Sequence, residues 1–255
     1  MRPSLTILRS PSLALGALLV LLAGCGHESA TDPKSPAAVD PFGDPPWDLA
    51  ANGIPRFVGV DYIELGKIGR ISKFRSGIGH DASDDFESCR SMKHYYEPKA
   101  TVDWASVRIS SPIDGKVLFI YDGTLGPKIT IKSTRYPAFF VSLFHVRLAS
   151  PLKEGDAVAA GQFLGTHFGS QTYSDIEVGV HTTVDGPNGV SPPGWKAISY
   201  FDVMTDELFQ GYRARGMVQR SDAIIPKEAR DASPLSCTGT TFAAPGTVEN
   251  WVRLN

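Results

Sequence analysis

Three segments of this chain carry side chains that can bind a metal ion or transfer protons. His80 and Asp84 lie four positions apart, residues 142–145 end an apolar run on His145, and residues 174–181 alternate between polar and apolar side chains. Imidazole and carboxylate groups are the usual ligands of a catalytic zinc and common acids and bases of enzymes. The three segments therefore form the candidate functional site.

The third segment has the alternation of a strand. Successive strand side chains point to opposite faces, so Asp175, Glu177 and His181 lie on one face. The other face carries the apolar residues Ile176, Val178 and Val180. The polar face is either a row of metal or proton ligands or the solvent-exposed face of an edge strand.

Two further segments complete a pattern with these candidates. Residues 111–117 read Ser-Pro-Ile-Asp-Gly-Lys-Val, and residues 155–165 read Gly-Asp-x-Val-x-x-Gly-Gln-x-x-Gly. With His80, Asp84 and His145 in matching order, the chain resembles the lysostaphin-type (LytM-like) peptidoglycan metalloendopeptidases over residues 79–183. Biotinyl and lipoyl carriers have turns similar to the second segment, so the order of the motifs carries the resemblance.

The resemblance implies a function. In that family the first His and the Asp bind Zn²⁺ together with the last His of a His-x-His motif. Carried over, His80 and Asp84 are zinc ligands, and His145 is an acid-base group or stabilises the transition state. An open fourth position lets zinc activate a water molecule. The implied reaction is the hydrolysis of peptidoglycan peptides, with Zn²⁺ as cofactor.

The sequence departs from the family at the His-x-His motif. One register places Asp175-Ile176-Glu177 there, which makes Glu177 the third zinc ligand. A second register places Glu177-Val178-Gly179 there, which removes that ligand and leaves Glu177 at the position of a proton-transferring His. His181, further along the same face, is another substitute. The sequence thus supports a zinc endopeptidase or, alternatively, a catalytically inactive module that binds cell wall or regulates another wall hydrolase.

Residues 86–98 are a second departure, because they are longer and more polar-aromatic than the resemblance implies. They either line a groove in which Arg90 and Lys93 bind carboxylates of a stem peptide, or form a surface excursion anchored at Cys89. In an oxidising compartment Cys89 and Cys237 can form a disulfide. The alternative is two free buried thiols.

The N-terminus predicts where the protein acts. Arg2 and Arg9 precede an apolar run at residues 13–23, which ends in small residues before Cys25. This pattern resembles a bacterial lipoprotein signal, which implies removal of residues 1–24 and acylation of Cys25 by membrane-anchoring chains such as palmitate. The alternative is an uncleaved membrane helix, which needs about 20 apolar residues. We expect a lipoprotein of the bacterial cell envelope, periplasmic or at the outer membrane, with peptidoglycan or its stem peptides as partner.

Composition and turn residues predict the fold. The 255 residues include 25 Gly and 19 Pro, which suit short strands joined by turns, and the net charge of -2 gives no reason to expect a nucleic-acid partner. We expect an all-β domain of two packed antiparallel sheets at residues 55–217, the architecture that the resemblance implies. It follows a flexible tether at residues 25–54 and precedes an irregular extension at residues 218–255. One late helix is predicted, with Thr205 as its cap and Gly216 at its end. Strands are predicted at residues 57–65, 71–74, 115–121, 128–133, 138–146 and 175–182.

Overall fold

Strands dominate the computed structural model, which describes residues 45–183 and 194–255. The strands are β1 (Ile68–Ser72), β2 (His94–Pro98), β3 (Arg108–Ser110), β4 (Gly115–Tyr121), β5 (Lys128–Ser133), β6 (Phe139–Leu143), β7 (Val146–Leu148), β8 (Ala157–Val158), β9 (Phe163–His167), β10 (Ser174–His181), β11 (Trp195–Ile198), β12 (Cys237–Thr238), β13 (Thr241–Phe242) and β14 (Trp251–Arg253). The α-helices are α1 (Leu49–Asn52), α2 (Tyr200–Val203), α3 (Asp206–Arg213) and α4 (Lys227–Ala232), and short 3-10 helices lie at Leu65–Lys67, Trp104–Ser106 and Arg220–Ala223.

The strands form one large antiparallel sheet and one small one. The large sheet has the order β14-β1-β2-β10-β6-β5-β4-β8, and β11 pairs with β10 beyond the end of β2. The small sheet has the order β3-β9-β7, and β12 pairs with β13 as a separate hairpin. The all-β class predicted from the sequence is confirmed. The predicted late helix is α3, in which the Thr205 side chain accepts a hydrogen bond from the Leu208 N–H.

The core lies between the two sheets because the central strands alternate. Ile129 of β5, Val141 of β6 and Val178 of β10 face inward and are almost completely buried. They belong to one apolar cluster with side chains of the small sheet, among them Ile109 and Leu164. Each such side chain contributes about 1.5–3 kcal/mol on full burial. The opposite face of these strands is left to polar and aromatic residues.

The segment predicted as a groove wall or surface excursion instead supplies a central strand. Within residues 86–98, β2 pairs with β1 on one side and with β10 on the other. Its Tyr96 is fully buried in the core, and the His94 side chain hydrogen-bonds the Ser72 carbonyl and the Ser199 hydroxyl. The consecutive aromatic side chains at residues 94–96 suit a strand that is covered on both faces.

Two N-terminal expectations are corrected. The predicted tether includes residues 45–54, but Trp47 donates its backbone N–H to the His181 carbonyl and its ring packs against Tyr136 and Phe139. This aromatic contact makes the segment part of the domain. The strand predicted at residues 57–65 is reduced to isolated bridges. The predicted signal peptide at residues 1–24, Cys25 and the rest of the tether lie outside the described residues.

The predicted irregular extension, residues 218–255, is an integral part of the domain. Its β14 adds an edge strand to β1, and the Arg230 side chain is fully buried, donating to the Arg75 carbonyl. Cys89 and Cys237 are joined by a disulfide across 148 residues of sequence. The described residues accordingly belong to a single compact unit that includes the C-terminus.

We predict that replacing Cys89→Ala together with Cys237→Ala lowers the free energy of unfolding by about 2–5 kcal/mol, because a long closed loop restricts the unfolded chain. Urea unfolding of the double variant measures the loss. The native protein unfolded in dithiothreitol is the matched control and should give the same midpoint. Equal midpoints for the oxidised native protein and the double variant would contradict the prediction.

A partly buried carboxylate lies among tyrosines of α2 and α3. Asp61 accepts hydrogen bonds from the hydroxyls of Tyr212, at 2.5 Å, and Tyr200, at 3.4 Å. Burial raises the pKa of Asp61 to about 6, although these hydrogen bonds oppose the shift. The folded protein therefore retains a proton that the unfolded chain has already lost, and this group destabilises the fold as the pH rises from 3.8 towards 6.

Asp61→Asn should remove this pH dependence. The variant keeps an oxygen for Tyr212, so the difference in unfolding free energy, variant minus native, should grow between pH 4 and pH 6 by at most about 1.4 kcal/mol per pH unit. It should then level off. Urea titrations at several pH values measure this difference, and a value independent of pH would show that Asp61 titrates normally.

Candidate functional site

An aromatic groove crosses the face of the large sheet that is turned away from the core. It consists of two depressions that share Lys128 as a wall, with volumes of about 320 and 280 Å³. We call this surface the aromatic groove, and its main lining residues are Phe119, Tyr121, Lys128, Phe140, Phe144, His145, Glu177 and Trp195. Antiparallel pairing of β4, β5, β6 and β10 brings Phe119, Tyr121, Lys128, Phe140 and Glu177 to one face, and the other three residues follow β6 or start β11.

An ion-paired cluster lies at one end of the groove. The Asp175 side chain on β10 is fully buried, with its Oδ2 3.1 Å from the Lys93 Nζ and its Oδ1 3.2 Å from the His145 Nε2. Lys93 is also buried, and its ammonium lies 3.4 Å from the centre of the Phe144 ring. We call Lys93, His145 and Asp175 the buried ion cluster.

The partners of His145 favour its protonated form. Its Nδ1 lies 2.9 Å from the Leu125 carbonyl oxygen, which accepts hydrogen bonds but cannot donate them. Its Nε2 lies 3.2 Å from the Asp175 Oδ1, so the neighbours of both ring nitrogens favour the protonated ring. Burial alone would lower the pKa of His145, but the close contact with the Asp175 carboxylate and its negative charge outweigh burial and raise it.

The pKa of Asp175 shifts in the opposite direction. Burial alone would raise it, but the charge of Lys93 and the contact with His145 hold it below its ordinary value. The ionised form of Asp175 is therefore favoured by the Lys93 ammonium and the His145 ring on either side of it. His145, predicted from the sequence to act on substrate, instead has both ring nitrogens engaged within the protein.

Asp84, predicted to be a zinc ligand, accepts hydrogen bonds from three backbone N–H groups. Its Oδ1 accepts hydrogen bonds from Phe86 and Glu87, and its Oδ2 accepts one from Ala197 of β11, all at 2.9 Å. Burial raises the pKa of Asp84, and the three backbone donors partly offset that rise. The carboxylate shapes the turn after it and fastens β11 to it.

The other two predicted ligands have separate partners. The exposed His80 ring lies 2.8 Å through Nδ1 from the Asp81 carbonyl and 3.5 Å through Nε2 from the Lys93 Nζ. Glu177 faces Lys128, 3.5 Å away. Zinc needs its N and O ligands at about 2.0–2.2 Å. Within residues 45–183 and 194–255 no three His, Cys, Asp or Glu side chains are placed to hold a metal ion, so the predicted zinc site of His80, Asp84 and Glu177 does not assemble.

Further sequence expectations are revised by the burial of their residues. All eight residues of β10 are buried between neighbouring strands, so its polar face is not the solvent face of an edge strand. Arg90, predicted to hold a ligand carboxylate, is paired with Glu87 and Asp231 at 2.8 and 2.9 Å. Lys93 points into the protein instead of towards solvent. Lys93, immediately before β2, and Tyr95 within it are two positions apart, so their side chains lie on the same face of the strand. This spacing is the sequence signal that could have placed Lys93 beside Asp175.

Comparisons with known proteins place the chain near two kinds of solved structure. A chain of the SpoIIQ–SpoIIIAH pore-forming complex has a TM-score of 0.39 and 14% identity, covering 62% of this chain and 96% of that one. A crystal structure of the SpoIIIAH and SpoIIQ complex gives 0.32 and 12%, covering 48% and 88%. The solution structure of lysostaphin gives 0.27 and 15%, covering 36% and 37%. No protein-family model and no curated protein sequence matches the chain.

We predict that the pKa of His145 is above 6.5 in the native protein and falls when Asp175→Asn removes the carboxylate. Ring-proton NMR shifts followed against pH measure it. Because the folded pKa is raised, the stability contributed by His145 is complete below pH 6.5 and is lost as the pH rises through that higher value.

Glu177→Gln is the matched control, because it removes a carboxylate from the same face of β10 that is paired with Lys128 instead. It should leave the His145 titration almost unchanged. A native pKa at or below 6.5, or equal shifts in the two variants, would contradict the ion pair.

Proposed function

We propose that this chain is a lipoprotein of the bacterial cell envelope whose folded part is a peptidase-like module that binds peptidoglycan stem peptides without cutting them. The aromatic groove is the binding surface in this proposal. The alternative of a zinc endopeptidase is disfavoured by the positions of its predicted ligands. The separate partners of His80, Asp84 and Glu177 carry this choice.

The Asp84 carboxylate already has a structural role that turning towards a metal would disturb. Both oxygens accept backbone hydrogen bonds, and the donor of one of them belongs to β11. Moving the carboxylate onto a metal would leave partly or fully buried N–H groups without acceptors, at about 1–3 kcal/mol for each group. Zinc would also need a neutral His145 or a free Glu177, and both face charged partners. We therefore derive no reaction step through zinc.

The chemistry of the groove suits an extended peptide with small apolar side chains and a carboxylate. Phe119 and Tyr121 present exposed rings on one strand, and Tyr121 is 68% exposed. Lys128 keeps 28% of its side chain exposed, and its contact with Glu177 is as long as 3.5 Å. An ammonium between aromatic walls can bind a carboxylate of a ligand while the rings cover its apolar part.

The envelope location in this proposal depends on Cys25 and the segment before it. The order of a basic start, an apolar run and a cysteine is that of a lipoprotein signal. The helices that the structure describes between residues 45 and 255 are all too short or too polar to span a bilayer. An acylated Cys25 would hold the groove within reach of wall material near its membrane.

The binding proposal predicts that Tyr121→Ala and Lys128→Ala each weaken the binding of soluble muropeptides about tenfold, the effect of losing about 1.4 kcal/mol. Isothermal titration calorimetry measures the dissociation constants. Phe163→Ala and Lys153→Ala are matched controls, because both residues have exposed side chains outside the groove.

The same protein should release no peptide fragments from purified sacculi, with or without added Zn²⁺. Mass spectrometry of the supernatant detects such fragments. Zinc-dependent release, or equal affinity of the groove and control variants, would overturn the proposal.

A further inference from the structure

The ammonium of Lys93 lies among the kinds of atom that bind a divalent metal. We infer that Lys93 is a built-in cation, which takes the place of a divalent ion between His80 and Asp175 and makes the site independent of metal. The inference concerns the buried ion cluster and His80, and it holds whatever the aromatic groove binds. It assigns to Lys93 the role of a positioning residue.

The first argument is the charge of Asp175. A fully buried carboxylate loses its hydration and needs compensating charge and hydrogen bonds. Lys93 supplies that charge at 3.1 Å from a side chain that is itself almost completely buried. Metal ions serve the same purpose for buried carboxylates in other sites. Here the cation is covalently part of the chain.

The second argument is the orientation of His80. Its Nδ1 lies 2.8 Å from the Asp81 carbonyl oxygen, so Nδ1 carries the proton, and the lone pair of a neutral ring is on Nε2. That nitrogen faces the Lys93 Nζ at 3.5 Å. An imidazole lone pair and a carboxylate oxygen thus converge on one ammonium, and they are donor types that zinc and cobalt prefer.

The third argument is the aromatic ring beside the ammonium. The Lys93 Nζ lies 3.4 Å from the centre of the Phe144 ring, which stabilises a cation through its π face. A divalent ion needs four or more ligands. The Phe144 ring covers one side of the ammonium position and supplies no ligand atom there. The surroundings of the position therefore suit an ammonium better than a metal.

Removing the ammonium should allow a divalent metal ion to bind at its position. Lys93→Ala leaves the Asp175 carboxylate and the His80 lone pair facing a space with no positive charge. Lys93→Met removes the charge but fills the same space. The first variant should therefore bind a divalent ion, whereas the second should not.

The test is calorimetric and spectroscopic titration of Co²⁺ into the full-length chain, purified in detergent and free of any polyhistidine tag. No wall ligand is present, so the result is independent of the proposed peptide binding. We expect Lys93→Ala to bind one equivalent of Co²⁺ at least about tenfold more tightly than the native protein or Lys93→Met. Adding Asp175→Asn to Lys93→Ala should abolish that binding.

Native protein that binds one equivalent as tightly as Lys93→Ala would overturn the inference, and so would a folded Lys93→Ala variant that binds none. If Lys93→Ala is unfolded when isolated, circular dichroism is measured after addition of Co²⁺ or propylammonium, which replaces the missing part of the lysine. Recovery of the fold with either cation supports the inference. Failure of both overturns it.

Discussion

Asp175 is a charged group at the centre of a sheet, and its neutralisation constrains the strands around it. Its oxygens are balanced by Lys93, immediately before β2, and by His145, two residues after β6. The registers of β2 and β6 against β10 bring both cations to the same carboxylate. His145 reaches it with a backbone φ of 60°, a left-handed conformation that costs a residue with a Cβ about 1–2 kcal/mol.

Asp84 imposes a second constraint, on the segment that follows His80. By accepting backbone hydrogen bonds from its own turn and from β11, it fastens the segment after His80 to the sheet. Trp195 at the start of β11 then forms one wall of the aromatic groove. Asp84, which resembles a zinc ligand in the sequence, thus supports one wall of the aromatic groove.

The class of the fold could be predicted from local pattern, because β5 and β10 alternate clearly, β4 and β6 are short apolar runs, and Thr205 is a strong helix cap. The position of β2 could not, since its neighbours β1 and β10 are distant in sequence and its polar-aromatic residues also suit a surface loop. The same limit applies to the C-terminal segment, where the strand that pairs with β1 has only three residues.

The candidate site was predictable in its residues but not in their partners. Spacing identified His80, Asp84, His145 and Glu177 as groups able to do chemistry, and alternation placed Asp175 and Glu177 on one face. Whether a carboxylate binds a metal, a backbone N–H or an ammonium depends on neighbours that only the tertiary structure supplies. The partner of Asp175 is the Lys93 ammonium, and one of the partners of Asp84 is the backbone N–H of Ala197.

The central claim is that Lys93 holds the cation position beside Asp175 in the native protein. Anomalous diffraction at the zinc edge, from crystals of native protein grown with excess Zn²⁺, tests it most directly. The account predicts an Lys93 ammonium in contact with Asp175 and no anomalous peak between His80 and Asp175. A zinc peak bonded to Asp84 or Asp175, with Lys93 displaced, would contradict it.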